Sequence, residues 1–307
     1  MRKLYLILIL LGGIVGCHQE PPIPASGIPT TCQVFSVANV NEATHDTTYY
    51  QYTPFGHVSE SLYRQWINNQ LMVSTRQQFT YSADHYLMTQ NEQMVTNSAN
   101  GNQTQLTKLY TYAYGDGQLQ QVTILDAQSR IALGYKLYTY ENGTLKTYVE
   151  TNAQKVPIRS YSFDGSGKLL ASTESGSTVQ VDKSTGKIIQ RVGADGTSVT
   201  YQFDGQGQLV KETTVFATSQ SERTYTYDKN PYWSKTQLLF RGIPTPDLGG
   251  VTLAHNIATS GFRLTQNGRV VQDLTFTYQY QFNKANYSLG YSRSDGFRQR
   301  ISYANCL

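Results

Sequence analysis

A short aromatic unit recurs along this chain from about residue 49 onwards. A typical copy contains two aromatic residues separated by one residue, then a polar turn with glycine, then leucine or isoleucine. The clearest copy runs from Tyr201 and Phe203 through Asp204 and Gly205 to Leu209. Up to Tyr225 the copies recur every 18 to 33 residues, which is typical of an array of small supersecondary units. Looser copies begin at Tyr50, Phe79, Tyr112, Tyr138, Tyr161, Val179, Tyr225 and Tyr278.

The unit predicts a β-hairpin. Residues that alternate along a strand point to the same face, so both rings of a pair lie on one side. We expect Asn142–Gly143 and Asp204–Gly205 to supply the positive φ angles that tight hairpin turns need. The apolar residue after the turn then returns on the partner strand and packs against the rings.

One hairpin cannot bury its apolar face, so the hairpins must associate. We therefore predict an all-β fold, an antiparallel meander of these hairpins that forms one β-repeat domain over residues 32–307. The right-handed twist of the strands should curl the meander into an open sheet or half-barrel. The 24 tyrosines, against 11 phenylalanines, suit strands with one half-buried face.

The amino terminus has the pattern of an export signal. Arg2 and Lys3 precede an apolar stretch of 13 residues, 4–16, which is too short to span a bilayer comfortably. The stretch ends in Ile-Val-Gly before Cys17, and this resembles the lipobox of bacterial lipoproteins. The resemblance implies that residues 1–16 are removed and that Cys17 carries lipid. The alternative is an ordinary secretory signal in which the cysteine is incidental.

A proline-rich segment separates Cys17 from the repeats. Four of the nine residues from Pro21 to Pro29 are prolines, which favours a semi-rigid tether that cannot join a sheet. Residues 17–31 are therefore predicted to link the lipid to the folded domain.

Two further cysteines, Cys32 and Cys306, flank the repeat region. Export places them in an oxidising compartment, so we predict a disulfide between the first and last strands. The alternative is a pair of free thiols. The five histidines show no ligand spacing with either cysteine, so the sequence predicts no metal site and no cofactor.

The array is interrupted once, after Tyr227. Asn230 and Pro231 could cap and start a short helix, and residues 241–250 read as a loop. The sheet should resume near Ile257, with a turn at Asn267–Gly268.

The unit from Tyr201 to Leu209 resembles the YD (RHS-type) repeat, in which Tyr-x-Tyr-Asp is followed by glycine and leucine. Residues 161–169 are nearly as similar, and the chain ends in a Tyr-x-x-Cys pattern at Tyr303 and Cys306. The combination resembles short envelope lipoproteins with degenerate YD repeats. Long RHS proteins wrap many repeats around a toxin, but this chain is too short for that role.

Charge excludes one class of partner. Loss of Arg2 and Lys3 lowers the net charge from +4 to +2, and no basic patch or stripe appears, so nucleic acid is not an expected partner.

Ser184 and Lys187 fit a Ser-x-x-Lys string, but they fall in a predicted hairpin turn rather than at a helix start. We also expect the pair His45–Asp46 to lie in a polar loop without a nucleophile. No catalytic residue is therefore predicted.

These observations favour a lipid-anchored protein of the cell envelope, on the outer membrane, that acts as a non-enzymatic interaction or structural module. Its expected partners are the membrane, through lipid, and a glycan or an envelope protein. Trp66, Tyr232 and Trp233 are candidates for an aromatic platform that binds sugar, and packing is the competing use. The alternatives are a glycan-binding surface lipoprotein, an enzyme of unrecognised class, and a transmembrane β-barrel. The lipobox, the tether and the irregular strand lengths argue against the last.

Overall fold

A computed structural model describes residues 33–41, 43–98, 101–231, 241, 243–244, 248–249, 255–284 and 288–304. Cys17, Cys32, Cys306, Tyr232 and Trp233 lie outside the described residues, so the predictions for them stay predictions. In the described part, no helix is long and apolar enough to cross a membrane.

The described residues form twenty β-strands. The first ten are β1 (Gln33–Val40), β2 (Thr44–Tyr52), β3 (Val58–Ile67), β4 (Gln70–Tyr81), β5 (Leu87–Asn97), β6 (Gln103–Gly115), β7 (Gln118–Asp126), β8 (Ala132–Glu141), β9 (Thr144–Asn152) and β10 (Pro157–Phe163). The others are β11 (Leu169–Glu174), β12 (Ser177–Asp182), β13 (Lys187–Gly193), β14 (Ser198–Phe203), β15 (Leu209–Phe216), β16 (Ser219–Pro231), β17 (His255–Gln266), β18 (Arg269–Phe282), β19 (Ser288–Arg293) and β20 (Arg298–Ala304).

The sheet is a closed barrel. Each strand pairs antiparallel with the next, and β20 pairs with β1 from Gln33–Ala304 to Val40–Arg298. The predicted all-β antiparallel meander is therefore confirmed, but the predicted open sheet or half-barrel is wrong. Pairing β1 with β20 satisfies the backbone groups of the two strands that an open sheet would leave as edges.

The core lies at one end of the barrel, which we call the packed end. Even-numbered strands finish there and odd-numbered strands begin there. The larger core cluster consists of Leu119, Val122, Tyr138, Leu145, Tyr148, Tyr161, Phe163, Leu169 and Ile188. A smaller one consists of Val58, Phe79 and Leu87. Because the larger cluster joins strands that are not neighbours, its side chains lie on the inner face.

Part of the interruption after β16 packs against this core. Ile243 contacts both clusters, and Leu248 contacts the larger one. The Ile188 amide donates a hydrogen bond of 2.9 Å to the Gly249 carbonyl. Across the same end, the Arg241 guanidinium donates to the Asp84 carbonyl at 2.7 Å. These contacts help to close the packed end.

In most repeat units, the aromatic residue nearest the end of the even-numbered strand has a structural role. It lies at a register shift near the end of an even-numbered strand, as Tyr140 does in the β8–β9 pairing. Where it is tyrosine, its hydroxyl donates to the carbonyl of the first or second residue of the preceding odd-numbered strand, at 2.5 to 2.9 Å. The tyrosines that do so are Tyr52, Tyr81, Tyr114, Tyr140, Tyr227 and Tyr303. We call these hydrogen bonds the tyrosine latches.

We expect Tyr140→Phe to lower the free energy of unfolding by about 1–2 kcal/mol, because the Leu119 carbonyl loses its partner. Burial raises the pKa of Tyr140 to about 12, so the hydroxyl is a donor at neutral pH. Urea denaturation checks the loss. Tyr135→Phe is the control, because this ring lies on the outer face, where Lys155 sits over it at 5.3 Å. An equal loss in both variants would contradict the role of the latch.

Three local predictions need correction. Asn230 and Pro231 belong to strand β16 and do not start a helix; Pro231 pairs with His255 at the strand's end. Proline is tolerated there because no further ladder hydrogen bond is needed from it. The positive φ after Asp204 is at Gly207 (77°) rather than Gly205.

The third correction concerns His45 and Asp46, which lie in strand β2 and not in a loop.

Two of the predicted hairpin turns are confirmed. Asn142 and Gly143 have φ values of 50° and 80°, as a tight hairpin turn requires. Asn267 also has positive φ, at 48°.

Candidate functional site

Stacked tyrosines line the inner face over strands β8 to β10. Tyr148 lies between Tyr138, with ring centroids 4.9 Å apart, and Tyr161, at 5.6 Å. The interplanar angles are 25° and 13°, so the three rings form one stack. All three are buried, and burial raises the pKa of each hydroxyl. The first aromatics of two repeat units, Tyr138 and Tyr161, therefore form part of the inner wall together with Tyr148.

Charged side chains alternate in sign beside this stack. The pairs are Lys136–Glu150 at 3.9 Å, Arg159–Glu150 at 3.8 Å and Arg191–Glu174 at 3.3 Å. The Tyr148 hydroxyl also donates to Glu150. Lys136, Glu150 and Arg159 share the inner face with the rings, because each lies two positions along its strand from one of them. Glu174 pairs with Arg159, and Arg191 pairs with Val199, which lies two positions from Tyr201, so both face inward as well. We call them the charge ladder.

The inner wall is polar on neighbouring strands too. Further round the barrel, Arg223 donates to Glu212 at 2.6 Å. On strands β4 to β6, Gln77 donates to Glu92 at 2.9 Å, and the Tyr110 hydroxyl donates to the same carboxylate at 3.4 Å. The barrel interior therefore combines aromatic faces with hydrogen-bonding groups, which is the composition of many sites for polar ligands.

Solvent reaches this wall from the end opposite the core, which we call the open end. There, the inner-face residues Leu106, Leu274 and Phe216 are 38%, 39% and 51% exposed. At the packed end, Leu119 and Phe163 are fully buried. The exposure of strand β18 changes in the same direction. Both of its faces are exposed at the open end, where the strand begins at Arg269, and only its outer face is exposed nearer the packed end. In the described part of the chain, the inner wall is therefore accessible to solvent from the open end.

The structure places Trp66 away from the inner wall. The Trp66 ring stacks on His45 with centroids 4.6 Å apart and an interplanar angle of 11°, on the outer face. Its neighbour Asp46 points inward and accepts a hydrogen bond of 2.9 Å from Asn39. Trp66 therefore does not join the aromatic rows of the repeats.

The charge ladder was missed by sequence reasoning, although a signal was present. A basic residue stands two positions before the first aromatic in several units, as in Lys136 before Tyr138 and Arg159 before Tyr161. The period of two that places both rings on one face places this basic residue there as well. In the described part of the chain, no group of three or more His, Cys, Asp or Glu side chains could hold a metal ion.

Comparison with solved structures finds similarities at low sequence identity. Porin-like proteins from Bacteroides uniformis and Bacteroides vulgatus are 13% and 12% identical, with TM-scores of 0.38 and 0.33. The alignments cover 90% and 89% of this chain and 100% and 99% of those chains. TcdB2-TccC3 without its hypervariable C-terminal region is 14% identical over 85% of this chain and 12% of that one, with a TM-score of 0.44.

The sequence comparisons are more local. No curated protein matches this chain. The RHS repeat family model matches residues 184–218, which contain the unit from Tyr201 to Leu209. The chain therefore carries repeats of the RHS/YD type.

Proposed function

We propose that this chain is a lipid-anchored, non-enzymatic binding module of the cell envelope whose ligand enters the barrel at the open end. The observation that carries the proposal is the exposure of inner-face residues such as Leu106 and Phe216 at that end. A wall that is closed by its own packing would have buried them. Exposed apolar surface beside hydrogen-bonding groups tends to mark a binding site.

The outer face supports a barrel that stands in water. Charged pairs lie on it in mid-strand, including Arg76–Glu60 and Arg263–Asp273, each at 2.7 Å. Such pairs contribute little to stability when exposed, but they make the surface polar. A location outside the hydrocarbon layer, held there by lipid on Cys17, agrees with this polarity.

The positions of the chain ends support the same arrangement. Strand β1 begins at the packed end, where Gln33 pairs with Ala304. The tether of residues 17–31 would therefore leave from the packed end, and the open end would remain free for a ligand. The same pairing supports the predicted disulfide, because Cys32 directly precedes Gln33 and Cys306 follows Ala304 by two residues.

The charge ladder supports binding rather than catalysis. Glu150 and Glu174 are each paired with arginine or lysine, so their charges are compensated in the resting barrel. General acid–base chemistry instead needs a group that is free to exchange a proton with the substrate.

A pull-down from envelope fractions tests the proposal. We expect the wild-type chain to retain an envelope component and Leu106→Glu to retain about tenfold less, because it places a charge at the entrance. Leu133→Glu is the matched control, since Leu133 is 42% exposed on the outer face and should retain as much as wild type. Labelling with an alkyne fatty acid should mark wild type but not Cys17→Ser.

Two results would overturn the proposal. One is retention by wild type no greater than that of an unrelated lipoprotein. The other is turnover of ester, peptide or glycoside substrates by the purified chain, with the activity lost in a single-residue variant.

A further inference from the structure

Three buried polar atoms on the inner wall have no hydrogen-bond partner. They are Ser172 Oγ, Glu174 Oε1 and Arg191 Nε. Ser172 is 7% exposed and the Glu174 side chain 12% exposed. Arg191 Nη2 lies 3.3 Å from Glu174 Oε1, which is an ion-pair contact without the geometry of a hydrogen bond. Buried polar groups normally have a hydrogen bond, so three neighbouring atoms without one need an explanation.

The strand pairing explains why no neighbouring side chain satisfies them. Strands β11 and β12 share only the pair Glu174–Ser177, and they part from there towards the packed end. The turn that follows β12 comes close to the start of β11, because a Cβ on Gly186 would lie 3.2 Å from the Leu169 amide nitrogen. Ser172 lies beside the seam between these points. The seam closes at both ends, so it suits a small group and not an inserted strand.

Two tyrosines flank the three atoms. Tyr161 pairs with Ser172 across β10 and β11, and Tyr201 lies on β14. Burial raises the pKa of both hydroxyls, and both also feel the charges of Glu174 and Arg191. Tyr161 is thus the direct neighbour of Ser172, and Tyr201 lies two positions from Val199, which pairs with Arg191. Both tyrosines offer apolar ring surface and a polar tip beside the three residues.

We propose that Ser172, Glu174 and Arg191 form a subsite that binds hydroxyl groups of a neutral sugar. Arg191 Nε can only donate a hydrogen bond, an ionised Glu174 can only accept, and the Ser172 hydroxyl does both. A hydroxyl group can likewise donate and accept, so adjacent sugar hydroxyls match the set. A phosphate or carboxylate would face the Glu174 oxygen, and an ammonium group would face Arg191, so neither charge fits. The inference rests on the proposed function and names its ligand class.

Ser172→Ala tests this subsite in the full chain. Neutral oligosaccharides of glucose, galactose and N-acetylglucosamine are the probes, and titration calorimetry and saturation-transfer NMR measure binding. We expect the best-bound probe to lose about tenfold in affinity, equivalent to about 1.4 kcal/mol. The melting temperature without sugar should stay the same or rise, because the variant removes an unpartnered hydroxyl. A hydroxyl with a purely structural role would instead lower it.

Two further variants separate this site from general effects. Glu174→Gln should weaken the same probe, because it replaces an acceptor-only carboxylate with an amide. Thr173→Ala, on the outer face of the same strand, should bind as wild type does.

The subsite is overturned if wild type binds none of these probes, or if Ser172→Ala binds them unchanged. It is also overturned if a high-resolution crystal structure with the best-bound probe shows only a water molecule hydrogen-bonded to the three atoms. Any of these results would leave the expected result of the envelope pull-down, including its dependence on Leu106, unchanged. Conversely, sugar binding that depends on Ser172 with no retention from envelope fractions would support the subsite and contradict the envelope role.

Discussion

Replacing Phe163 with alanine should lower the free energy of unfolding by about 3–5 kcal/mol. Phe163 is fully buried in the larger core cluster at the packed end, with Leu169 and Ile188. It occupies the register shift of strand β10, where other repeats place the latch tyrosine. Its ring has no hydroxyl to donate, so its contribution comes from packing alone. Alanine would leave a cavity among side chains that the strands hold in place.

Urea denaturation of the mature domain measures this loss. Phe216→Ala is the matched control, because Phe216 is 51% exposed on the inner face at the open end. It should lose less than about 1 kcal/mol, since little apolar surface returns to water. Equal losses in the two variants would mean that the core is not concentrated at the packed end.

The repeat unit predicted the local structure because its signals are local. Alternating rings such as Tyr138 and Tyr140 require a strand, and Asn142–Gly143 requires a tight turn, whatever the rest of the chain does. The same physics predicted the long strand β18 and the turn at Asn267. These elements depend on neighbours within a few residues, so the sequence specifies them well.

Closure of the barrel was not predicted because it depends on the whole chain. It requires β1 to meet β20, and this follows from the number of strands and their accumulated twist rather than from any one motif. The predicted disulfide between Cys32 and Cys306 already implied that the first and last strands lie side by side. An open half-barrel was inconsistent with that implication, and the closed barrel is consistent with it.

The candidate site could be predicted only in part. The period of two places Lys136 and Arg159 on the ring face, so the charge ladder was within reach of the sequence. The three buried atoms without a hydrogen bond could not be predicted from the sequence. Their environment depends on the lack of strand pairing between β11 and β12 beyond Glu174–Ser177. Ser172 has nothing in its sequence neighbourhood that distinguishes it from the exposed serines of other strands. Trp66 drew attention through its residue type, yet its pairing with His45 places it outside.

Gly290→Ala should weaken the closure of the barrel and lower the free energy of unfolding by about 3–5 kcal/mol. Gly290 has φ of +113°, and a Cβ there would lie 2.0 Å from the Gln299 carbonyl oxygen on β20. Since that oxygen is backbone, β20 must shift away from β19, and the paired edges of both strands become exposed.

Denaturation measures the destabilisation caused by Gly290→Ala, and size-exclusion chromatography detects self-association through the exposed edges. Gly205→Ala is the control, because a Cβ at that position meets no atom within 4 Å and its φ is not positive. The control should remain a monomer if wild type is one and should lose less than about 0.5 kcal/mol. If Gly290→Ala behaved like this control, the close approach of β19 and β20 would not contribute to closing the barrel.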